Sequence, residues 1–313
     1  MSTEFFPIRR AVVTGATSLI GSALVYCLIK AGITVYGVVR PSSKRMAMLE
    51  NSPLLHLVPC DLYQIETLSK SISMPCDAFF HLAWLGTETR ERRADILLQN
   101  ENVHYSLLAV KAAQNLSCKV FIGAGSQAEY GKSDTPLRSD TPANPISAYG
   151  MAKLCAGQMT RLACKEAGMR HVWSRILSVY GYSGKNTTLI DSIIEQLLKG
   201  KRPSLTDGKQ IWDFLYVSDA ADALFCMAKK GRNGAIYVLG SGEALTLRTY
   251  IEQLRDVVAP GARLGFGEIP YYSDQAMCLS ADLHELTHDT GWSPTISFPE
   301  GIRHLVKKIK QNI

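Results

Sequence analysis

Arg10-Ala11-Val12-Val13-Thr14-Gly15-Ala16-Thr17-Ser18-Leu19-Ile20-Gly21 is the stretch on which the fold turns. Its first five residues form a short apolar run rich in β-branched side chains, which predicts a strand. Glycines at 15 and 21 bracket a turn, after which Leu24, Val25, Leu28 and Ile29 recur at helical spacing as far as Gly32. Strand, glycine turn and helix is the layout that lets backbone N–H groups and a helix N-terminus hold the pyrophosphate of a dinucleotide.

Working outward, apolar runs at 33–39, 55–62, 77–84 and 119–124 read as further strands, with a long helical pattern from about 92 to 115 between the last two. Strands alternating with helices predict an α/β fold around a parallel, doubly wound sheet. Ligands bind such sheets at the carboxyl ends of the strands. That rim would gather the glycine turn, Arg40, Asp61, Ala83-Trp84 and the turn Gly125-Ser126-Gln127-Ala128-Glu129-Tyr130-Gly131. The end of the second strand, Arg40-Pro41-Ser42-Ser43-Lys44-Arg45, is basic and rich in hydroxyls, with no carboxylate before Glu50. An acidic residue there would accept from both ribose hydroxyls, whereas an arginine pairs with a 2′-phosphate, so NADP is expected in preference to NAD.

Ile146-Ser147-Ala148-Tyr149-Gly150-Met151-Ala152-Lys153 opens another helix, with Ser147 placed to cap it and Met151, Leu154, Cys155, Met159 and Leu162 at three- and four-residue steps. Tyr149 and Lys153 then share a face. A nearby ammonium favours a phenolate and is expected to pull the tyrosine down from its ordinary value near ~10, making a proton shuttle for carbonyl–alcohol chemistry.

The bulk numbers exclude other classes. A chain of 313 residues, 46 % hydrophobic and 20 % charged, can bury a full core. It has no apolar run of the ~18 residues that would span a membrane. The opening stretch 1–7 is too short for a secretory signal, and the eight cysteines lack a Cys-x-x-Cys pair, which fits buried thiols in a cytoplasmic protein. A net charge of +6 is concentrated only in Lys307-Lys308-Ile309-Lys310 and does not argue for nucleic acid. His284-Glu285-Leu286-Thr287-His288 matches a zinc-protease pattern but lacks a third ligand at a recognisable spacing, so no metal is expected.

With these residues in view, the chain resembles an extended short-chain dehydrogenase/reductase of the nucleotide-sugar epimerase/dehydratase type. The likeness runs in order through Thr14-Gly15 to Gly21, Asp61-Leu62, His81-Leu82-Ala83, Asn102-Val103, Ser126 to Gly131, Tyr149-x-x-x-Lys153, Arg175 to Gly181, Asp213 to Asp219, Gly240 to Glu243 and Gly291 to Pro294. It implies a Rossmann-type domain over 1–177 plus about 209–240, and a smaller substrate-binding lobe over 178–208 plus about 241–313. Tyr149 would be the acid/base, Lys153 its partner and a ribose ligand, and Ser126 the group that orients the reacting oxygen. Gly15, Thr17, Ser18, Leu19, Ile20 and Gly21 would carry the pyrophosphate, with Arg40 and Ser43 at the 2′-phosphate and Asp61 and Leu62 at the adenine. Leu82, Ala83, Trp84, Asn102 and Ile176 would line the cofactor. Trp84, Ser126, Gln127, Ser178, Asn186 and Trp212 would meet a nucleotide-sugar substrate. A homodimer through the 92–115 and 148–167 helices is also implied.

The departures narrow the reaction. Sugar dehydratases of this type carry an Asp-Glu pair after the hydroxyl residue, and here those positions are Gln127 and Ala128, which do not titrate. The second of them also replaces the cysteine of epimerase-reductases. What remains supports reduction of a 4-keto-6-deoxyhexose at C4, as in the abequose-synthase-like group, or alternatively an NAD-dependent 4-epimerase. A non-catalytic NADP sensor is the remote alternative. Trp212 and Ser178 stand where an arginine and an asparagine often grip the substrate diphosphate, so that either Asn186, Lys209 or Arg248 holds it or the substrate is not a nucleotide sugar. Trp212 would then stack on a base or pack in the core.

Overall fold

The computed structural model describes residues 7–184, 188–272 and 275–311. The first half alternates regularly: β1 (Arg10–Thr14), α1 (Leu19–Lys30), β2 (Thr34–Val39), β3 (Leu55–Pro59), α2 (Leu68–Ser71) and β4 (Ala78–His81). Next come α3 (Arg90–Ala94), α4 (Ile96–Asn115), β5 (Val120–Ser126), α5 (Ala148–Glu166) and β6 (Arg170–Ile176). The second half runs β7 (Ser178–Tyr180), α6 (Leu189–Leu198), β8 (Ile211–Trp212), β9 (Phe214–Tyr216), α7 (Val217–Lys230) and β10 (Ala235–Leu239). It closes with β11 (Leu245–Thr246), α8 (Leu247–Val258), α9 (His284–Thr290) and α10 (Phe298–Gln311).

Seven strands form one parallel sheet in the order β10-β6-β5-β4-β1-β2-β3. The chain starts in the middle, builds outward to β3, then crosses back to β4, so the strand order reverses between β1 and β4. Both faces are covered, as a parallel sheet requires. One core packs α1 and α7 on the sheet through Leu24, Leu28, Leu224 and Met227; the other packs α4 and the 62–72 segment through Val110, Ala113, Ile65 and Leu68. A third cluster joins α6, α8 and α10 through Ile193, Ile194, Tyr250, Leu254, Phe298 and Ile302. Two short strand pairs, β7 with β9 and β8 with β11, link that cluster to the sheet.

One expectation is corrected. The helix read from about 92 is broken: α3 ends at Ala94, and Asp95, in extended conformation, caps α4 with its carboxylate, which accepts the Leu98 N–H at 3.1 Å. The run from Trp212 to Val217 is divided as well. Asp213 turns inward between β8 and β9, and Val217 already belongs to α7.

Candidate active site

The reversal between β1 and β4 opens a crevice, and the glycine turn lies at its mouth. Gly15 has φ +67°, and a Cβ there would sit 2.9 Å from the Ala83 amide nitrogen at the end of β4. A Cβ on Gly21 would meet the Gly15 carbonyl at 2.1 Å. Side chains at either position would therefore close the cradle. Ser18, which replaces the usual middle glycine, caps α1 by accepting the Gly21 N–H at 3.0 Å. The substitution keeps the helix N-terminus open to an anion. Leu19 and Ile20 are half-buried in the first turn, with Leu19 beside Gly181. The Thr17 hydroxyl lies 3.3 Å from that of Ser43, bringing the glycine turn against the loop after β2.

Arg40 is exposed at the carboxyl end of β2, and its carbonyl accepts the Ser43 N–H at 2.9 Å, which curls the basic loop back toward the turn. Asp61 and Leu62 follow β3, the first half-buried and the second buried, and Ile176 ends β6 with 9 % exposure. All lie on the same rim as the glycine turn.

Thr14 fixes the floor of the crevice. Its Oγ1 accepts the Leu82 and Ala83 N–H groups at 3.1 and 3.2 Å, so its own proton goes to His81 Nδ1 at 3.0 Å. The opposite nitrogen then donates to Ser106 Oγ at 3.3 Å, whose proton reaches the Asn102 carbonyl at 2.8 Å. Burial, with the Lys153 charge behind it, pushes His81 down to about 3, consistent with a neutral ring in that chain. Asn102, a residue expected to line the cofactor, is 1 % exposed and binds the loop after β4: Oδ1 accepts the Leu85 N–H at 2.8 Å and Nδ2 donates to the Leu85 carbonyl at 3.0 Å. Gln99 holds the next piece, accepting Trp84 Nε1 at 2.8 Å. Trp84, half-buried, is thereby held over the helix that carries Tyr149.

Ser126, Tyr149 and Lys153 come together where β5 ends against α5. Ser126 caps the turn after β5, its Oγ accepting the Ala128 N–H at 3.2 Å. Ser147 caps α5 through the Gly150 N–H at 3.1 Å, and a Cβ on Gly150 would strike the Ala128 carbonyl at 2.2 Å. Glycine at that position lets the helix seat against the turn. The expected depression of Tyr149 is not found. Burial pushes its phenol up, outweighing a hydrogen bond with Ser126; Glu129 also pushes it up, and the cation that pulls it down is Arg93 of α3. Lys153 is turned elsewhere: its Nζ donates to the Ala124 carbonyl at 2.6 Å and sits 3.6 Å from the centre of the Trp84 ring. Burial pushes Lys153 down to about 7, while Glu129 acts in the opposite direction. The three side chains thus combine a protonated phenol, a hydroxyl beside it and an ammonium poised near neutrality.

Sequence reasoning missed what stands behind Ser126. Glu129 is fully buried, accepting the Ser126 N–H at 2.8 Å, Trp173 Nε1 at 3.0 Å and Arg175 Nε at 2.7 Å. Trp173 lies across three glycines: a Cβ would approach it to 2.2 Å from Gly123, 2.4 Å from Gly125 and 2.8 Å from Gly157. The signal was present in the alternation Gly123-Ala124-Gly125, which leaves one face of β5 bare opposite Trp173 and Arg175 of β6.

On the lobe side, the two departures from the family pattern are partners. Trp212 Nε1 donates to Ser178 Oγ at 2.9 Å, and the half-buried indole neither stands free nor belongs wholly to the core. Gln127 is half-buried next to Ser126. Asn186 lies outside the described residues. Lys209 pairs with Asp207 at 3.0 Å, and the Arg248 guanidinium sits 3.9 Å from the centre of the Phe266 ring, donating to the Asp207 carbonyl at 3.2 Å. Asp213 and Asp219 are structural anchors. The first accepts from Ser241 and Gly242 N–H groups at 2.6 and 3.0 Å, the second from the Thr295 and Ile296 amides at 3.0 and 2.9 Å. His284 and His288 stack with ring centres 6.1 Å apart, and His288 Nδ1 faces Asp289 at 3.0 Å. Among the described residues no cluster of three metal-ligating side chains occurs, and no helix is long and apolar enough to cross a membrane.

Residues 11–240 match the NAD dependent epimerase/dehydratase family. The dTDP-4-dehydro-6-deoxyglucose reductase of Escherichia coli is 28 % identical over 67 % of this chain and 67 % of its own length. The CDP-abequose synthase of Salmonella muenchen is 24 % identical over 95 % of this chain and 97 % of its own. The structure of a UDP-N-acetylglucosamine 4-epimerase from Methanobrevibacter ruminantium M1, in complex with UDP-N-acetylmuramic acid, superposes with a TM-score of 0.87 at 25 % identity, covering 98 % of this chain and all of the other. Glycine cradle, Ser–Tyr–Lys cluster and match agree: the chain belongs to the NAD dependent epimerase/dehydratase family and is an enzyme of the extended short-chain dehydrogenase/reductase kind.

Proposed function

We propose that this enzyme reduces the 4-keto group of a nucleotide-activated 6-deoxyhexose, taking its reducing equivalent from NADPH. The observation that carries the reading is the composition of the turn after β5. Gln127 and Ala128 beside Ser126 do not titrate, and Glu129 is fully buried, its carboxylate taken up by Ser126, Trp173 and Arg175. Elimination of water from a sugar needs extra proton donors and acceptors beside the reacting carbons, and that turn offers none. Tyr149 supports the direction: a phenol pushed up by burial starts the cycle as an acid, which suits giving a proton to a ketone.

The cradle fits the cofactor because a Cβ on Gly15 or Gly21 would fill it. Gly15, Ser18, Ile20 and Gly21 bind the pyrophosphate, while Thr17 and Ser43, whose hydroxyls meet, hold the neighbouring loop where Arg40 binds a 2′-phosphate. Asp61 and Leu62 flank the adenine. The nicotinamide, when bound, supplies the hydride. Ser126 orients the sugar carbonyl, Tyr149 passes its proton to O4, and Lys153 holds the ribose and supplies positive charge beside the phenol. Trp84 shields that ammonium from water. A homodimer is part of the reading: Leu97 of α4 is 78 % exposed, and Met151, Met159 and Leu162 of α5 are 55, 41 and 59 % exposed. Such apolar faces call for a partner.

An NAD-dependent 4-epimerase is the second reading, favoured by the likeness to the solved 4-epimerase. A non-catalytic NADP sensor would have little use for Ser126, Tyr149 and Lys153 together. One experiment separates the readings. Nucleotide released from the purified protein is identified by mass spectrometry, and its exchange with added NADPH is followed. Exchangeable binding of NADPH in preference to NADH, with turnover of dTDP-4-keto-6-deoxyglucose, is expected; tightly held NAD that does not exchange would move the reading to the epimerase. Tyr149→Phe should abolish turnover and leave NADPH binding intact.

A further inference from the structure

Glu129 stands behind the proposed site and touches neither cofactor nor substrate in that reading. Its carboxylate is enclosed: Oε1 accepts from the Ser126 N–H at 2.8 Å and from Trp173 Nε1 at 3.0 Å, and Oε2 accepts from Arg175 Nε at 2.7 Å. The Arg175 guanidinium is itself stacked 4.3 Å from the centre of the Tyr130 ring, whose hydroxyl donates to the Arg138 carbonyl at 2.6 Å. Burying an ion pair is costly, and an apolar cluster of equal volume would hold β5 to β6 at least as well. An apolar cluster could not grip the Ser126 amide or place a charge beside the crevice. Those are the two things the carboxylate does.

We propose that Glu129 is a positioning residue, which fixes the Ser126 hydroxyl through the Ser126 backbone and sets a negative charge behind Tyr149 and Lys153. The proposal deepens the reading of Ser126, Tyr149 and Lys153 given above and rests on it. The charged and titratable groups facing Glu129 are Arg175 and His171 of β6, Tyr130 of its own turn, and Tyr149, Lys153 and Arg161 of α5. Arg175 is consumed by the pair, and burial pushes His171 down to about 4, which leaves it uncharged near neutrality. Through the Ser126 amide Glu129 is tied to the residue that hydrogen-bonds Tyr149, and the part of its charge not offset by Arg175 favours the protonated form of Tyr149 and Lys153. In a reductase that is the form that gives up the proton.

Glu129→Gln keeps the size and an acceptor for the Ser126 amide while removing the charge. Ionisation of Tyr149 is read without substrate, as the ultraviolet phenolate band of the wild type minus that of Tyr149→Phe, and the same difference is taken in the Glu129→Gln background. The midpoint is expected at lower pH in the variant. Turnover of dTDP-4-keto-6-deoxyglucose with NADPH is expected to show kcat reduced about 10- to 100-fold and KM for NADPH within about twofold of wild type. If Glu129→Gln does not fold, Glu129→Gln combined with Arg175→Met removes both buried charges together and carries the same expectation. A folded variant with the wild-type midpoint overturns the electrostatic half of the proposal; the positioning half is tested by Glu129→Leu combined with Arg175→Met, which also removes the acceptor of the Ser126 amide, and a folded double variant with the wild-type kcat overturns it. Failure of the wild type itself to bind NADPH would overturn the proposed function, while the Tyr149 titration would still decide the role of Glu129.

Discussion

Lys153 offers a test in which activity and stability move in opposite directions. Its ammonium is 4 % exposed, and burial takes it from an ordinary 10.5 to about 7. At ~1.4 kcal/mol for each pKa interval, holding that charge in the fold at neutral pH costs at most about 5 kcal/mol. The face of Trp84 and the Ala124 carbonyl hold the ammonium, and what they return is already contained in that upper limit. Lys153→Met should therefore destroy turnover and yet make the protein more stable at pH 7, by no more than about 5 kcal/mol, read as a higher urea midpoint with unchanged slope. The sign with pH follows from linkage. The folded value lies below the unfolded one, so between about 7 and 10.5 the unfolded chain binds more protons and the wild type gains stability as pH rises. The advantage of the variant should be full below about pH 7 and shrink toward pH 10.5. A variant less stable than wild type at pH 7, or a gap that does not change with pH, would refute the buried-charge account.

Gly123→Ala should destabilise by about 3 kcal/mol or more in urea unfolding, because its Cβ would lie 2.2 Å from Trp173 in a slot walled by three glycines; an unchanged midpoint would mean that the indole is not seated there. His81 has a folded value pushed down to about 3, so its contribution is present above the ordinary 6.5 and is lost as pH falls toward about 3. His81→Asn should accordingly lose less stability than wild type between pH 6.5 and acid, measured by urea midpoints across that window. Arg40→Glu should reverse the cofactor preference, lowering the ratio of NADPH to NADH affinity by about tenfold or more in fluorescence titrations; an unaltered ratio would remove Arg40 from the 2′-phosphate.

The strands of the sheet up to β5 were legible because each is an apolar run closed by a glycine, proline or polar residue, a local pattern that needs no partner to be recognised. The run Ala235–Leu239 has the same character, yet only its parallel pairing with β6 assigns it to the sheet edge. The glycine cradle and the pair Tyr149–Lys153 were equally visible, since their spacing carries their geometry. What the spacing could not carry was the environment. Four residues of separation brought Tyr149 and Lys153 to one helix face, but the depth of burial, which raises one and lowers the other, comes from β5 and Trp84. Nor could spacing show that the Asn102 amide holds the loop after β4 through the Leu85 N–H and carbonyl. Asp213 divides the run from Trp212 to Val217 because its partners, Ser241, Gly242 and Ala281, are remote in sequence.

The bond between Trp212 and Ser178 has a mechanical consequence. Ser178 begins the strand that leaves the sheet, and Trp212 belongs to the small pair with Leu245 and Thr246 that leads into α8. The indole is thus a strut between the two short sheets on which the smaller cluster of helices hangs. Both ends of the strut are uncharged, so ionic strength leaves its stiffness unchanged, whereas an arginine in the same place would slacken as salt rises. The rigidity of this frame is consequently insensitive to the ionic surroundings, and replacing Trp212 alone would leave Ser178 to find another donor.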